Sequence, residues 1–167
     1  MKFSIVKINI GDFKNSIENL GIMSIFEAAV ENNSNYLPNV SDGTTRLADW
    51  FFNKTPIFAL AAYSHSTPVG FVMVRESKKL PNGKPIPNGL RFEICRLAVH
   101  PRYRNQEIAS TLISECLKHF PVGSYLTCQK NSTIHRMCLK NNWEELMPIT
   151  FLDDPAPGVL MRYENTY

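Results

Sequence analysis

Residues 93–110 read Glu93-Ile-Cys-Arg-Leu-Ala-Val-His-Pro-Arg-Tyr-Arg-Asn-Gln-Glu-Ile-Ala-Ser110, and this stretch decides the fold. It begins as an apolar strand and continues as an Arg-rich turn that opens an amphipathic helix without internal Pro or Gly. A helix start presents backbone N–H groups that have no acceptor within the helix, together with the positive end of the helix dipole. A phosphate group is the natural partner of such a site, so the stretch predicts an anion site at the turn.

The composition indicates an ordinary folded protein. Of the 167 residues, 44% are hydrophobic and 20% are charged, which suits a single domain over residues 1–167. The net charge of +3 suits an anionic small molecule. It argues against nucleic acid as a partner, because proteins that bind nucleic acid usually concentrate more positive charge on one face.

The cysteines, the N-terminus and the apolar runs argue against a metal-binding, a secreted or a membrane-spanning protein. Cys95, Cys116, Cys128 and Cys138 lack Cys-x-x-Cys spacing and a paired His pattern, so we expect no metal site. The N-terminal residues are too few and too charged for a secretion signal. No apolar run approaches the roughly 18 residues that span a bilayer. We therefore expect reduced thiols, no membrane partner and a cytoplasmic location.

Apolar periodicity and turn residues predict the remaining elements. Strands are expected over residues 3–10, 57–63, 67–74, 90–99 and 123–128, from 143 onward and over 159–163. Helices are expected over residues 12–20, 22–30, 44–53, 106–120 and 132–141, and a loop over 32–43. Asn142 is expected to end the last helix in the left-handed conformation.

The segment 77–89 contains Pro-Asn-Gly twice. This composition is turn chemistry between two strands, in a connection that is long for a hairpin. We interpret it as a mobile exposed loop, with a flap beside an acceptor site as the alternative.

Residues 93–110 resemble the acyl-CoA-binding segment of the GNAT family of N-acyltransferases. The family pattern is a hydrophobic strand, Val-x-Pro-x-x-Arg, and then Arg/Gln-x-x-Gly-x-Gly/Ala. The second part here reads Arg104-Asn-Gln-Glu-Ile-Ala109, with Glu107 where the family usually has Gly. The order of the predicted elements is also the family order. The resemblance is strong over residues 92–143 and only topological outside them.

The resemblance implies an α/β (α+β) fold of the GNAT type. Its centre is a mixed, mostly antiparallel sheet of six to seven strands, with a splay between the fourth and fifth strands and about four flanking helices. It also implies acetyl-CoA as the acyl donor co-substrate. The implied binding residues are Leu97, Ala98 and Val99 for pantetheine, Arg104, Asn105, Gln106, Glu107, Ile108, Ala109 and Ser110 for the diphosphate, and Asn131 for the pantetheine arm.

Two of these positions have a second interpretation. The Glu107 carboxylate would repel the diphosphate by about 1 kcal/mol or more if it pointed inward, but in solvent it would only stabilise the first helical turn. Asn131 is equally suited to be the N-cap of the following helix.

Glu93 is the predicted catalytic base, because many members of the family carry a Glu on this strand that acts directly or through water. The alternative is an ion pair with Arg91 or Arg96. His100, just past the strand, is a second candidate base near neutral pH.

Cys138 occupies the position of the Tyr that is the usual acid of the family. A thiol has a reference pKa of about 8.5, so we predict that Cys138 donates a proton to the departing thiolate. The alternatives are a covalent acyl relay activated by His135, or a buried small hydrophobic residue. In the last case Tyr125 or Tyr103 would supply the acid.

The function implied is an N-acetyltransferase that acts on a primary amine of an unidentified small molecule or protein. One alternative is a non-catalytic acyl-CoA-sensing or partner-binding module, which the missing Tyr and Glu107 favour. A further alternative is an N-acyl synthase that uses longer acyl donors, because Glu93-x-x-Arg96-Leu-Ala-Val resembles a pattern in such enzymes. Homodimers are frequent in the family, and the sequence identifies neither an interface nor the acceptor.

Overall fold

A computed structural model describes residues 2–33, 37–151 and 154–164. Seven strands form one sheet in the order β1-β2-β3-β4-β5-β7-β6. All neighbours are antiparallel except β4 and β5, which are parallel. The strands are β1 Ser4–Lys7, β2 Phe58–Ser64, β3 Thr67–Glu76, β4 Phe92–Val99, β5 Ser124–Gln129, β6 Trp143–Ile149 and β7 Gly158–Tyr163.

Six α-helices and one 3₁₀ turn occur in the described ranges. They are α1 Phe13–Asn19, α2 Met23–Asn32, α3 Pro38–Ser41, α4 Leu47–Phe52, the 3₁₀ turn Pro101–Tyr103, α5 Ile108–His119 and α6 Thr133–Leu139. Within those ranges, no helix has the length and apolar character needed to cross a membrane.

The sheet buries a different apolar layer on each face. On one face α5 and α6 cover the side chains of β2, β3 and β4, with Leu112 and Cys116 of α5 fully buried. On the other face α1, α2 and α4 pack an aromatic cluster around Phe26, Phe51 and Phe71, whose ring centroids lie 5.0–6.0 Å apart. Each buried ring of this kind stabilises the fold by roughly 1.5–3 kcal/mol.

The predicted splay between the fourth and fifth strands is confirmed. β4 and β5 pair only at Phe92↔Ser124 and Glu93↔Tyr125. β4 remains paired with β3 as far as Val99, while β5 turns to pair with β7 along its length. From residue 94 onward, the β5-facing edge of β4 therefore has no partner strand in the described part of the chain.

A bulge at Arg96 marks the opened part of β4. Its φ is 52°, and the register with β3 shifts between Phe71 and Met73. The guanidinium lies 3.7 Å from the ring centroid of Trp50. It also donates to the Trp50 carbonyl at 2.5 Å and to Asn53 Oδ1 at 2.7 Å. These contacts tie the bulge to α4 and hold a left-handed residue that would otherwise be strained.

Two loop predictions need correction. Helix α3 lies within the predicted loop 32–43, of which residues 34–36 lie outside the described part of the chain. In the segment 77–89, Leu80 is only 4% exposed and packs with Tyr125 and Leu160. A turn begins at Leu80, and the side chain of this residue lies beneath it in a small, separate apolar cluster. The prediction of an exposed loop is therefore wrong at Leu80.

Candidate active site

The predicted anion site lies where the 3₁₀ turn meets α5. The helix begins at Ile108, two residues later than predicted, because Asn105 and Glu107 take left-handed conformations with φ of 61° and 60°. Glu107 is the N-cap, but its exposed carboxylate makes no capping hydrogen bond. The first amides of α5, at Ile108, Ala109 and Ser110, are the ones that a helix start leaves without an intrahelical acceptor.

The left-handed conformation at Glu107 explains why this position suits Gly. A residue with a Cβ costs roughly 1–2 kcal/mol in this conformation, whereas Gly adopts it freely. The exposure of the Glu107 side chain favours the interpretation in which its carboxylate faces solvent. Glu107 thus adopts the left-handed conformation at an energetic cost.

Arg104 and His100 belong to the same turn. Arg104 Nε lies 3.5 Å from the Val99 carbonyl oxygen, and its Nη1 lies 3.5 Å from Asn32 Oδ1 at the end of α2. His100 Nδ1 accepts the Arg102 backbone N–H at 3.3 Å. Burial, followed by the positive charges of Arg102 and Arg104, lowers the pKa of His100. The ring is thus a neutral cap of the 3₁₀ turn.

The open edge of β4 leads directly into this turn. Leu97 and Val99 are half-buried, and Ala98 is buried. Their main-chain groups on the β5 side face the gap between β4 and β5. Unpaired backbone donors and acceptors on a strand edge are a template for another extended chain.

A cavity of about 280 Å³ lies between α5 and α6. Its lining combines apolar side chains with hydroxyl and amide groups from α5, α6 and the last two strands. The residues are Ser110, Ile113, Ser114, Leu117, Met137, Cys138, Lys140, Asn141, Asn142, Trp143 and Tyr163. The structure thus brings Ser110 and Cys138, both predicted site residues, to one cavity.

The Cys138 thiol is buried on the sheet side of α6. Burial raises the pKa of Cys138 to about 12, so the group stays protonated at neutral pH. It is also a weaker acid than the reference value of about 8.5 suggests. A thiolate nucleophile is correspondingly disfavoured.

His135 does not activate Cys138. Its Nδ1 accepts the Asn131 backbone N–H at 3.1 Å, and its Nε2 lies 2.6 Å from Glu145 Oε1. Because Nδ1 accepts, Nε2 carries the proton and donates it to Glu145. Both ring nitrogens are therefore hydrogen-bonded to groups other than the Cys138 thiol. His135 is thus not placed to act as the base that a covalent acyl relay at Cys138 would need.

Asn131 is not the N-cap of α6, so that interpretation is wrong. Its φ is 64°, and its carbonyl accepts from Arg136 Nη1 at 2.7 Å. The cap is Ser132, whose Oγ accepts the His135 N–H at 3.2 Å. Asn142 takes the predicted left-handed conformation, with φ of 59°. It does not end the helix, however, because α6 stops at Leu139 and its C-cap is Lys140.

Glu93 is buried on the face opposite α5, with its side chain 3% exposed. Oε1 accepts from Lys54 Nζ at 3.1 Å, and Oε2 accepts from Arg75 Nε. The predicted partners are wrong, because Arg91 pairs with Glu76 at 2.7 Å and Arg96 binds α4. Lys54 and Arg75 lie 39 and 18 residues away in sequence, so only the β3–β4 register could have suggested Arg75.

Tyr125, rather than Tyr103, lies beside Glu93. It is the register partner of Glu93 across β4 and β5 and is 1% exposed. Burial, followed by the negative charge of Glu93, raises the pKa of Tyr125. Its hydroxyl has no hydrogen-bond partner of normal geometry among the described residues. Tyr103 instead packs edge-on against His100, with centroids 5.6 Å apart.

Within the described ranges, no three His, Cys, Asp or Glu side chains converge on a point where they could hold a metal ion.

The sequence model of the acetyltransferase (GNAT) family matches residues 23–134. The chain belongs to the GNAT acetyltransferase family. No curated protein matches it as a relative in sequence.

Three solved structures are similar over nearly the whole chain. Escherichia coli ElaA has a TM-score of 0.64 at 13% identity, covering 98% of this chain and 100% of that one. The PaiA N-acetyltransferase of Thermoplasma acidophilum, in complex with coenzyme A, has a TM-score of 0.56 at 19% identity, covering 98% and 100%. NAA60 of Arabidopsis thaliana, in complex with a bisubstrate analogue, has a TM-score of 0.58 at 20% identity, covering 96% of each chain. At these identities the likeness shows the fold.

Proposed function

We propose that this GNAT member transfers the acetyl group of acetyl-CoA to a primary amine. The observation that carries the proposal is the early end of β4–β5 pairing, after two residue pairs. It leaves an open strand edge that runs into a helix start, and these are the two backbone features that an extended amide chain ending in a diphosphate needs.

The residues present fit this donor. The main chain of Leu97, Ala98 and Val99 would hold the pantetheine amides, because this edge has no strand partner among the described residues. The turn and the start of α5 would hold the diphosphate, with Asn131 beside the pantetheine arm. The proposed diphosphate residues are Arg104, Asn105, Gln106, Glu107, Ile108, Ala109 and Ser110. The cavity between α5 and α6 offers about 280 Å³ beside Ser110.

When bound, acetyl-CoA supplies an activated thioester carbonyl. In the transfer a C–N bond forms at the carbonyl carbon and the C–S bond breaks. An ammonium acceptor releases two protons in becoming an amide, of which one leaves to solvent and one ends on sulfur.

Glu93 is the proposed acceptor of the first proton. Its two oxygens already accept from Lys54 and Arg75. An ionised carboxylate offers about four lone-pair sites, so it can still accept a further donor. The two cations fix the orientation of the carboxylate, which is a requirement for a positioned base.

Cys138 is the proposed carrier of the second proton. It is protonated at neutral pH and forms part of the cavity wall. Because its raised pKa disfavours a free thiolate, it would give its proton to the departing sulfur only as it regains one from the amine.

One observation also favours a non-catalytic acyl-CoA sensor. Glu93 is buried and held by two cations, an arrangement that a purely structural ion-pair cluster would share. Both a sensor and an enzyme should bind acetyl-CoA. Only the enzyme should release the free thiol of CoA when an amine is added.

The test combines calorimetry with a thiol-release assay. Acetyl-CoA should bind, and Arg104→Ala should weaken binding about tenfold, the loss of one charge-assisted contact. Lys118→Ala is the matched control, because Lys118 is an exposed cation near the far end of α5 that pairs with Glu115. Release of CoA with at least one amine of a broad panel supports the enzyme. Binding without release for every amine supports the sensor, and no binding contradicts both.

A further inference from the structure

A row of polar side chains crosses the sheet at the closed end of the gap. The register places Arg75 of β3 opposite Glu93 of β4, and Glu93 opposite Tyr125 of β5. Register partners share one face of a sheet. Lys54, from the connection between α4 and β2, reaches the same carboxylate. Two cations, one carboxylate and one phenol therefore form a single cluster.

This cluster has more positive than negative charge. Lys54 and Arg75 share the single anion Glu93, which leaves one positive charge in excess. The buried Cys95 thiol lies within electrostatic reach of all three groups. Burial, followed by Glu93, raises the pKa of Cys95 to about 11, while Lys54, Arg96 and Arg75 act against that rise.

Both cations are open to an incoming group. The side chains of Lys54 and Arg75 are 20% and 22% exposed, whereas that of Glu93 is 3% exposed. Arg75 contacts Glu93 through Nε. Its two terminal nitrogens make no hydrogen bond to the described residues, so a planar anion has two donors within reach.

The Tyr125 hydroxyl is a further buried donor beside this cluster. It is fully buried and has no hydrogen-bond partner of normal geometry among the described residues, although the Ser77 hydroxyl is close enough to act on its pKa. A buried donor of this kind is rarely left without a well-formed hydrogen bond. Glu93 and Arg75 both act on its pKa, in opposite directions, so the hydroxyl lies within electrostatic reach of the charged pair. The raised pKa keeps it a neutral donor.

We infer that the acceptor amine carries a carboxylate, which is bound by Arg75 and Lys54 with Tyr125 as a further donor. This inference rests on the proposed function and narrows its substrate class to amino acids and amines of similar charge. The same excess charge disfavours polyamines, because each additional ammonium group would approach two cations that share one anion.

The experiment measures acceptor binding separately from turnover. The twenty α-amino acids and their α-carboxamides are titrated by calorimetry into the protein saturated with CoA, which lacks the acetyl group. We expect at least one amino acid to bind tenfold or more tightly than its amide. If no amino acid is preferred over its amide, the inference is overturned.

Two substitutions should change the preference for an amino acid over its amide in opposite directions. Arg75→Gln removes the excess charge and should weaken carboxylate binding about tenfold. Glu93→Gln keeps the side-chain shape and removes the only negative charge of the cluster, so it should increase the preference for an amino acid over its amide. Arg91→Gln is the control, because Arg91 forms an exposed pair with Glu76 on the same strands. If Arg75→Gln weakens the binding of amino acids and of their amides equally, the proposed carboxylate site is contradicted.

The two proposals fail separately. If amino acids bind with the expected charge dependence but no amine is acetylated, the proposed function is wrong and the anion site stands. If amines without a carboxylate are acetylated faster than every amino acid, the function stands and this inference is wrong.

Discussion

Glu93 and Tyr125 lie side by side at the last position where β4 and β5 are still paired. The carboxylate of Glu93 is held by two cations, whereas the Tyr125 hydroxyl has no hydrogen-bond partner of normal geometry among the described residues. The strands separate immediately beyond this pair. A fixed acceptor and an unsatisfied donor therefore border the open edge, where the proposed chemistry takes place.

Glu93→Gln should lower kcat by about 10²-fold, the lower end of what a positioned base contributes. The Kd of acetyl-CoA should stay within about twofold, because the substitution lies on the face opposite α5. Steady-state kinetics and calorimetry check the two values. Glu76→Gln, which breaks an exposed pair with Arg91, should change neither. A Glu93→Gln variant with normal turnover would remove Glu93 from the mechanism.

Cys138→Ala should slow turnover about tenfold or more while the affinity for CoA is unchanged. Cys116→Ala provides the comparison, because Cys116 is an equally buried thiol with a pKa also raised to about 12. Cys116 does not line the cavity beside α6. Equal turnover in the two variants would show that Cys138 only fills space.

Glu107→Gly should tighten acetyl-CoA binding about fivefold, because it removes a like charge near the diphosphate and a Cβ from a left-handed residue. The φ of 60° at this position also implies a gain in unfolding free energy of about 1 kcal/mol. Glu107→Gln removes the charge but keeps the Cβ, so calorimetry of acetyl-CoA binding to this variant separates the effect of the charge from that of the backbone conformation. Weaker binding by the Gly variant would indicate a structural role for the carboxylate.

Arg96→Lys should destabilise the protein by about 2 kcal/mol and raise the KM for acetyl-CoA. Lysine cannot keep both the flat contact with Trp50 and the donors to the Trp50 carbonyl and Asn53. Because these contacts hold the bulge that shapes the open edge, both effects should appear together. Chemical unfolding and kinetics test this pair of effects, and a loss of stability without any change in KM would uncouple the bulge from the donor site.

Glu145 should make the folding stability of the protein depend on pH in the acid range. Its pKa is lowered from the ordinary value of 4.5, first by the hydrogen bond from His135 and then by Lys130. A lowered carboxyl pKa stabilises the folded state above the unfolded value, and this contribution is lost as the pH falls through the folded value. The stability difference between the wild type and Glu145→Gln should therefore be constant above about pH 5.5 and shrink below pH 4.5. Urea unfolding across this range tests it, and a difference that grows in acid would contradict it.

The local parts of the site were predictable from the sequence. The strand, turn and helix of residues 93–110 follow from apolar pattern and helix-start chemistry, and the left-handed conformation of Asn142 follows from helix-end chemistry. The exact start of α5 was not predictable, because left-handed residues at Asn105 and Glu107 displace it and neither residue type requires that conformation.

The partners that define the chemistry were not predictable. Glu93 meets Lys54 and Arg75 only through the sheet register and the α4–β2 connection, and the neighbouring arginines in sequence point elsewhere. His135 would serve Cys138 on helical spacing alone, yet Glu145 and Asn131 engage it. Long-range pairing determines such contacts, and a single sequence carries little signal for it.

The most direct test of the account is a backbone amide NMR titration with acetyl-CoA. We expect the largest shift changes at Leu97, Val99 and the first amides of α5, Ile108 to Ser110, with smaller changes in β1. If saturating acetyl-CoA leaves these amides unmoved, the open edge of β4 and the helix start do not form the donor site.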